Sequence, residues 1–132
     1  MSASNLQLIQ HVYAAFGRGD VPAILEVCAE DIEFGVISES DLPWHGIGRG
    51  RAHVVKFFQA LGESTDFTRF EPHSFIADDH GVACLVDWDA TLKKNGHKVT
   101  ARVVHHFTIS NGRITRWNGS EDTAKAEKAW NA

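Results

Sequence analysis

The residues with chemistry to offer are few, and most gather on one stretch. From Val82 to Ile109 apolar and polar residues alternate on either side of Asn95-Gly96. An Asn-Gly pair between alternating runs predicts a type I′ hairpin, because that turn needs φ > 0 at both central residues. With the turn there, Leu92 faces Val99, Ala90 faces Ala101, Trp88 faces Val103, Val86 faces His105 and Cys84 faces Phe107. Side chains alternate with period 2, so all of these share one apolar face. Asp87, Asp89, Arg102 and His106 fall on the other face, with Asp89 opposite Arg102. His105 is the one ionisable side chain in the middle of the apolar face. Desolvation there lowers a histidine's pKa and keeps it neutral, able to donate one hydrogen bond or accept a proton.

An imidazole without a carboxylate is a weak general base, so its partner matters. Asp41 in the loop before the third helix, and Glu121 or Asp122 after the last strand, are the candidates. His106 points away from His105, so the pair cannot chelate one metal and no metal site is expected. Each residue also has a plainer reading. His105 can be a core histidine satisfied by a neighbour, and Asp122 can cap the helix that begins after it. Trp88 and Trp117 can be core as readily as pocket wall. Trp44 and His45, an aromatic pair in an otherwise polar loop, either anchor that loop or serve a site.

These residues need elements to hold them. Ser4 to Phe16 has helical spacing, with Ile9, Val12, Tyr13 and Phe16 as its stripe and Gly17-Arg18-Gly19-Asp20 as its stop. Asp20 caps a second helix with Pro22 early in it, burying Ile24, Leu25 and Cys28. Ile32 to Ile37 reads as a short strand, Ser38 to Gly50 as a loop, and Arg51 to Leu61 as a third helix burying Val54, Phe57, Phe58 and Leu61. Phe67 to Ala77 is a strand that Pro72 confines to an edge or a bulge. Asn111-Gly112 turns the chain into a last strand, Arg113 to Ser120, and a helical tail runs from Asp122 to Trp130. Helices followed by an antiparallel sheet make an α+β chain.

The 132 residues are 43% apolar, enough for a single domain over 1–132 with one core. A net charge of −4 argues against a nucleic-acid partner, which a protein meets with a basic patch. No apolar run is long enough for a signal peptide or a membrane span, so a cytoplasmic protein with no membrane partner is expected. Cys28 and Cys84 lie in apolar segments and read as reduced thiols.

Several motifs resemble one family. Val12 to Asp20, followed by Cys28-Ala29-Glu30-Asp31, resembles the first two helices of ketosteroid isomerase and its SnoaL-like relatives. Gly48 to Phe58 resembles their third helix. Asn111 to Trp117, with Asp122 beyond, resembles the last strand of that superfamily and of limonene epoxide hydrolase. The resemblance implies a cone-shaped nuclear transport factor 2-like fold. Three N-terminal helices would pack on a curved antiparallel sheet enclosing a pocket, in a homodimer formed through the sheet.

Carried over residue by residue, the epoxide hydrolase set falls on Val86, Trp88, Gly119, Phe34 and Val36, none of which can activate water that way. The isomerase base falls on Val36, and its oxyanion tyrosine on Val12, with Tyr13 one place along. Its second oxyanion donor falls on His105. The resemblance therefore implies a pocket centred on His105, walled by Tyr13, Phe34, Trp44, Phe58, Val86, Trp88, Val103, Phe107 and Trp117. Its ligand would be a small apolar molecule, and its chemistry cofactor-free isomerisation, dehydration or cyclisation. His105 would be donor or base, with Asp41 or Asp122 as the acid. The alternative is a non-catalytic ligand-binding or dimerisation module.

Overall fold

The computed structural model describes residues 2–132. Helix α1 (Ser2–Gly17) buries Ile9, Val12 and Ala15 along one stripe. Asn5 lies inside it and donates to the Asp78 carbonyl at 2.9 Å, pinning the helix to a sheet turn. Asp20 caps α2 (Val21–Glu26) by accepting from the Ala23 N–H. This helix is shorter than the sequence pattern implies. The Val27 carbonyl is taken by the Ile114 N–H, so the chain turns extended one residue before Cys28. Cys28 therefore opens strand β1 (Cys28–Val36) instead of closing a helix face.

The expected loop contains a strand, β2 (Gly46–Arg49), which folds back on β1. Gly35 permits this: a Cβ there would stand 2.0 Å from the Gly46 carbonyl oxygen. Helix α3 (Arg51–Ser64) buries Val54 completely, and the Arg51 guanidinium grips the Cys28 carbonyl at 2.8 and 3.2 Å. Strands β3 (Thr65–Ala77), β4 (Gly81–Leu92), β5 (Lys98–Ser110) and β6 (Arg113–Ser120) follow, and α4 (Thr123–Trp130) closes the chain. Three N-terminal helices and a fourth C-terminal one thus flank the sheet.

The sheet runs β2-β1-β6-β5-β4-β3. It is antiparallel except where β1 lies parallel to β6, a pairing that follows from β1 and β6 being brought together by the whole intervening fold. Register shifts in β3, at Thr108/Ile109 and in β1 act as bulges and bend the sheet around α1 and α3. β3 is an edge strand, and Pro72 sits in it without costing a ladder bond on its free side.

The long hairpin corrects one expectation. Its turn spans Lys93 to His97, not Asn95-Gly96 alone: Gly96 N–H bonds the Leu92 carbonyl, and Leu92 N–H bonds that of His97. Of the pair only Gly96 has positive φ, and the Asn95 amide instead holds the Ala129 and Trp130 carbonyls of α4. The register moves by two residues, so Cys84 faces His105, Val86 faces Val103 and Asp87, not Asp89, faces Arg102. A shift of two leaves every side chain on its expected face. At Asn111-Gly112 both residues have positive φ, as a two-residue turn requires.

Candidate functional site

Between the concave face of the sheet and helices α1 to α3 lies a cavity of about 90 Å³. Its wall is aromatic and aliphatic, interrupted by a few polar groups. Of the nine residues expected to line it, Tyr13, Phe34, Trp44, Phe58, Trp88, Phe107 and Trp117 do so, together with His105. Val86 and Val103 do not. They face each other across β4 and β5 and are 0% and 3% exposed, taken up by the core itself.

His105 enters from β5 and Tyr13 from α1. The Tyr13 hydroxyl lies 2.7 Å from His105 Nδ1 and 3.2 Å from Cys84 Sγ, and the two rings are nearly parallel. A phenol is the stronger donor and sulfur the weaker acceptor, which assigns the chain as Cys84 S–H to Tyr13 Oη, and Tyr13 O–H to His105 Nδ1. A neutral imidazole accepting at Nδ1 carries its proton on Nε2. Neutrality follows from burial, which pushes the His105 pKa down to about 3. Burial, and then the neighbouring Cys84 thiol, hold the Tyr13 phenol well above its ordinary value. Burial raises Cys84 as well. All three groups are neutral near pH 7. The Nε2–H has no hydrogen-bond partner among the described residues, and it is not sealed in the core either. It is a free donor in the cavity wall, which also carries the indole N–H groups of Trp88 and Trp117.

The acid in this wall is Glu121, immediately after β6. Its Oε1 receives the Trp44 Nε1–H at 3.2 Å and a very close hydrogen bond from His45 Nε2. On the far side of that imidazole, Ser40 Oγ donates to His45 Nδ1 at 2.6 Å, while the Leu42 N–H donates to Ser40 Oγ. The His45 side chain is 0% exposed and that of Glu121 8%, so this line of contacts is excluded from water. The connectivity is that of a Ser–His–acid triad. Ser40 is not part of the cavity wall, however, so here serine and histidine buttress the carboxylate. Oε1 is anchored; Oε2 has no partner among the described residues.

The other proposed acids go elsewhere. Asp41 is exposed and off the wall, because the loop turns inward at Leu42 and Trp44 instead. Asp122 is exposed and caps α4, accepting the Lys125 N–H at 3.0 Å. Both acids lie beyond the end of β6, and their partners separate them: Trp44 and His45 draw Glu121 inward, while the α4 N-terminus takes Asp122. Trp44 both anchors the loop and lines the cavity, whereas His45 anchors the loop through the cavity's carboxylate from outside the wall. Sequence reasoning missed Ser40, Phe16, Phe67 and Phe70. Phe67 and Phe70 are three apart on a strand and so should face opposite ways, but the bulge at Phe67/Arg69 brings both to the cavity.

An α+β cone of curved sheet and helices around an apolar cavity is the nuclear transport factor 2-like fold. The chain belongs to the SnoaL-like family, whose domain matches residues 9–117. An uncharacterised protein of Mycobacterium tuberculosis H37Rv is 25% identical over 128 residues, 96% of either chain. A nuclear transport factor 2-like protein of unknown function from Burkholderia pseudomallei K96243 is 27% identical and superposes with a TM-score of 0.89 over 100% of both chains. TerC, crystallised with polyporic acid, is 22% identical with a TM-score of 0.86 over 98% of this chain and 99% of its own; that likeness is one of fold. Among the described residues, no helix is long and apolar enough to cross a membrane.

Proposed function

We propose that the protein binds a small, largely apolar carbonyl compound and moves a proton on the carbon next to that carbonyl. One observation carries the reading. A single apolar cavity holds an unpartnered N–H on a neutral histidine and a carboxylate with one oxygen tied down and the other free. Glu121 Oε2 takes the proton from carbon, the electron pair moves onto the carbonyl oxygen, and His105 Nε2–H stabilises the resulting enolate oxygen. Return of the proton to a different carbon of a conjugated enolate gives an isomerisation; expulsion of a β-hydroxyl, which leaves as water with the proton held on Glu121, gives a dehydration. Tyr13 fixes the histidine tautomer so that the donor stays aimed away from the helix. His45, Ser40 and Trp44 hold the base against rotation. A protein of the same fold having been crystallised with polyporic acid supports a small organic molecule as ligand.

Exchange of α-hydrogens for deuterium tests this without knowing the natural substrate. Small methyl and cyclic ketones are incubated with the protein in D₂O and followed by NMR. Acceleration over buffer is expected, falling on the order of 100-fold or more in Glu121→Gln, the usual span of a general base. Binding of the ketones without any acceleration favours the non-catalytic module instead. That alternative draws support from Val36, Val86, Trp88 and Gly119, which stand at positions where the resembled enzymes carry their main catalytic groups.

A further inference from the structure

At about 90 Å³ the cavity is small beside the 300–1,000 Å³ of ordinary ligand pockets. A second hollow of about 230 Å³ lies just outside it, framed by Gly19 and Val21 after α1 and by Leu61 and Gly62 at the end of α3. The two share Phe16, Phe58, Leu61, Thr65 and Phe67 in their walls. Phe16 stands 5.9 Å from Phe58 and 6.1 Å from Phe67 between ring centroids, so these rings form the partition. All three are half-buried. The outer hollow offers a ligand no polar side chain: its single hydroxyl, Thr65 Oγ1, is spent on the Leu61 carbonyl at 2.7 Å.

We propose that this outer bay is the tail half of the ligand site and takes an unbranched hydrocarbon chain. The chain passes between Phe16, Phe58 and Phe67, and its carbonyl end lies at His105. The inference rests on the carbonyl reading above and adds to it the substrate class, an elongated molecule with one polar end. Turning the three rings aside joins the hollows into roughly 300 Å³, the lower end of the usual range. An apolar passage whose one hydroxyl has already given its proton to a backbone carbonyl selects an alkyl chain over a polar arm, since a donor or acceptor spread along it would go largely unpaired.

The test is a series of 2-alkanones from 2-butanone to 2-undecanone. Binding is read by fluorescence of the cavity tryptophans Trp44, Trp88 and Trp117, and by calorimetry. Affinity is expected to rise about fourfold per methylene, the transfer value for a buried CH₂. Gly62→Phe is the discriminating variant. A Cβ on Gly62 meets nothing within 4 Å, and its φ is ordinary for a helix, so the side chain grows into open space without strain. It should cost the long ketones at least tenfold and leave 2-butanone unchanged, while Gly62→Ala changes neither. Short ketones binding with no gain from length would overturn the tail site and leave the carbonyl site standing. The tail site is equally overturned if Gly62→Phe weakens all lengths alike. If no ketone of any length binds, both readings fall.

Discussion

Replacing His105 with leucine should flatten the acid sensitivity of folding. The imidazole is held to about 3 in the folded protein by burial, against an ordinary value of 6.5. As pH falls below 6.5, the unfolded chain takes up a proton that the folded one refuses, so the stability tied to neutral His105 is complete above about 6.5 and drains away towards about 3. Each pH unit in that window costs about 1.4 kcal/mol. Between pH 7 and pH 5 the loss is about 2 kcal/mol, allowing for the rounded onset of the titration. The carboxylates held low, Glu71, Asp78 and Asp87, release their share only as pH drops past their ordinary values of 4.5 and 3.8, in the acid half of the window and outside the comparison of pH 7 with pH 5. Urea unfolding of wild type and His105→Leu at pH 7 and pH 5 gives the difference of differences directly. The wild type should lose about 2 kcal/mol more than the variant on acidification. Equal losses would mean that His105 is charged or solvated in the native state, and the assignment of Nε2–H as a neutral cavity donor would go with it.

Two further substitutions probe the scaffold around the site. Gly35→Ala puts a Cβ 2.0 Å from the Gly46 carbonyl oxygen and 2.9 Å from the Ile47 Cα, both backbone, so β2 must separate from β1. A loss of about 3 kcal/mol or more in urea unfolding is expected, and a loss under about 1 kcal/mol would contradict the close strand approach. Asn95→Ala removes the amide that holds the Ala129 and Trp130 carbonyls. It should cost about 1 kcal/mol overall, but it should also speed amide exchange selectively in α4; uniform exchange would show that α4 docks by other means.

What the sequence made legible follows the range of the forces involved. Alternation and helical spacing are local, and they placed His105, Phe107, Trp88 and Trp117 on the right face even though the hairpin register moved by two. The register itself depended on Asn95, whose amide is used by a helix more than thirty residues away; no local rule contains that contact. Phe67 and Phe70 share a face because of a bulge, and bulges leave no period-2 signature. Which of the candidate acids enters the cavity was equally illegible. Glu121 and Asp122 are adjacent carboxylates, and what separates them is a histidine 76 residues earlier in the chain.

The position of His45 changes how the loop between β1 and β2 is understood. Residues 37–45 form a loop with no regular backbone ladder to hold it down, yet its Leu42 and Trp44 are 4% exposed. The fastening is the Glu121 carboxylate, which takes hydrogen bonds from both Trp44 and His45. Burying a carboxylate is costly unless it is well bonded, and a loop is costly to order. Here each offsets the other: the loop supplies the donors that keep the acid buried, and the acid supplies the anchor that keeps the loop ordered. Trp130 of α4 packs on Trp44 at 5.9 Å and extends the same coupling to the C-terminal helix, itself held by Asn95. The cavity's carboxylate, its covering loop and the turn of the long hairpin are therefore joined by one continuous set of contacts. Disturbing the Asn95 turn should reach Glu121 through Trp130 and Trp44, with the fold otherwise intact.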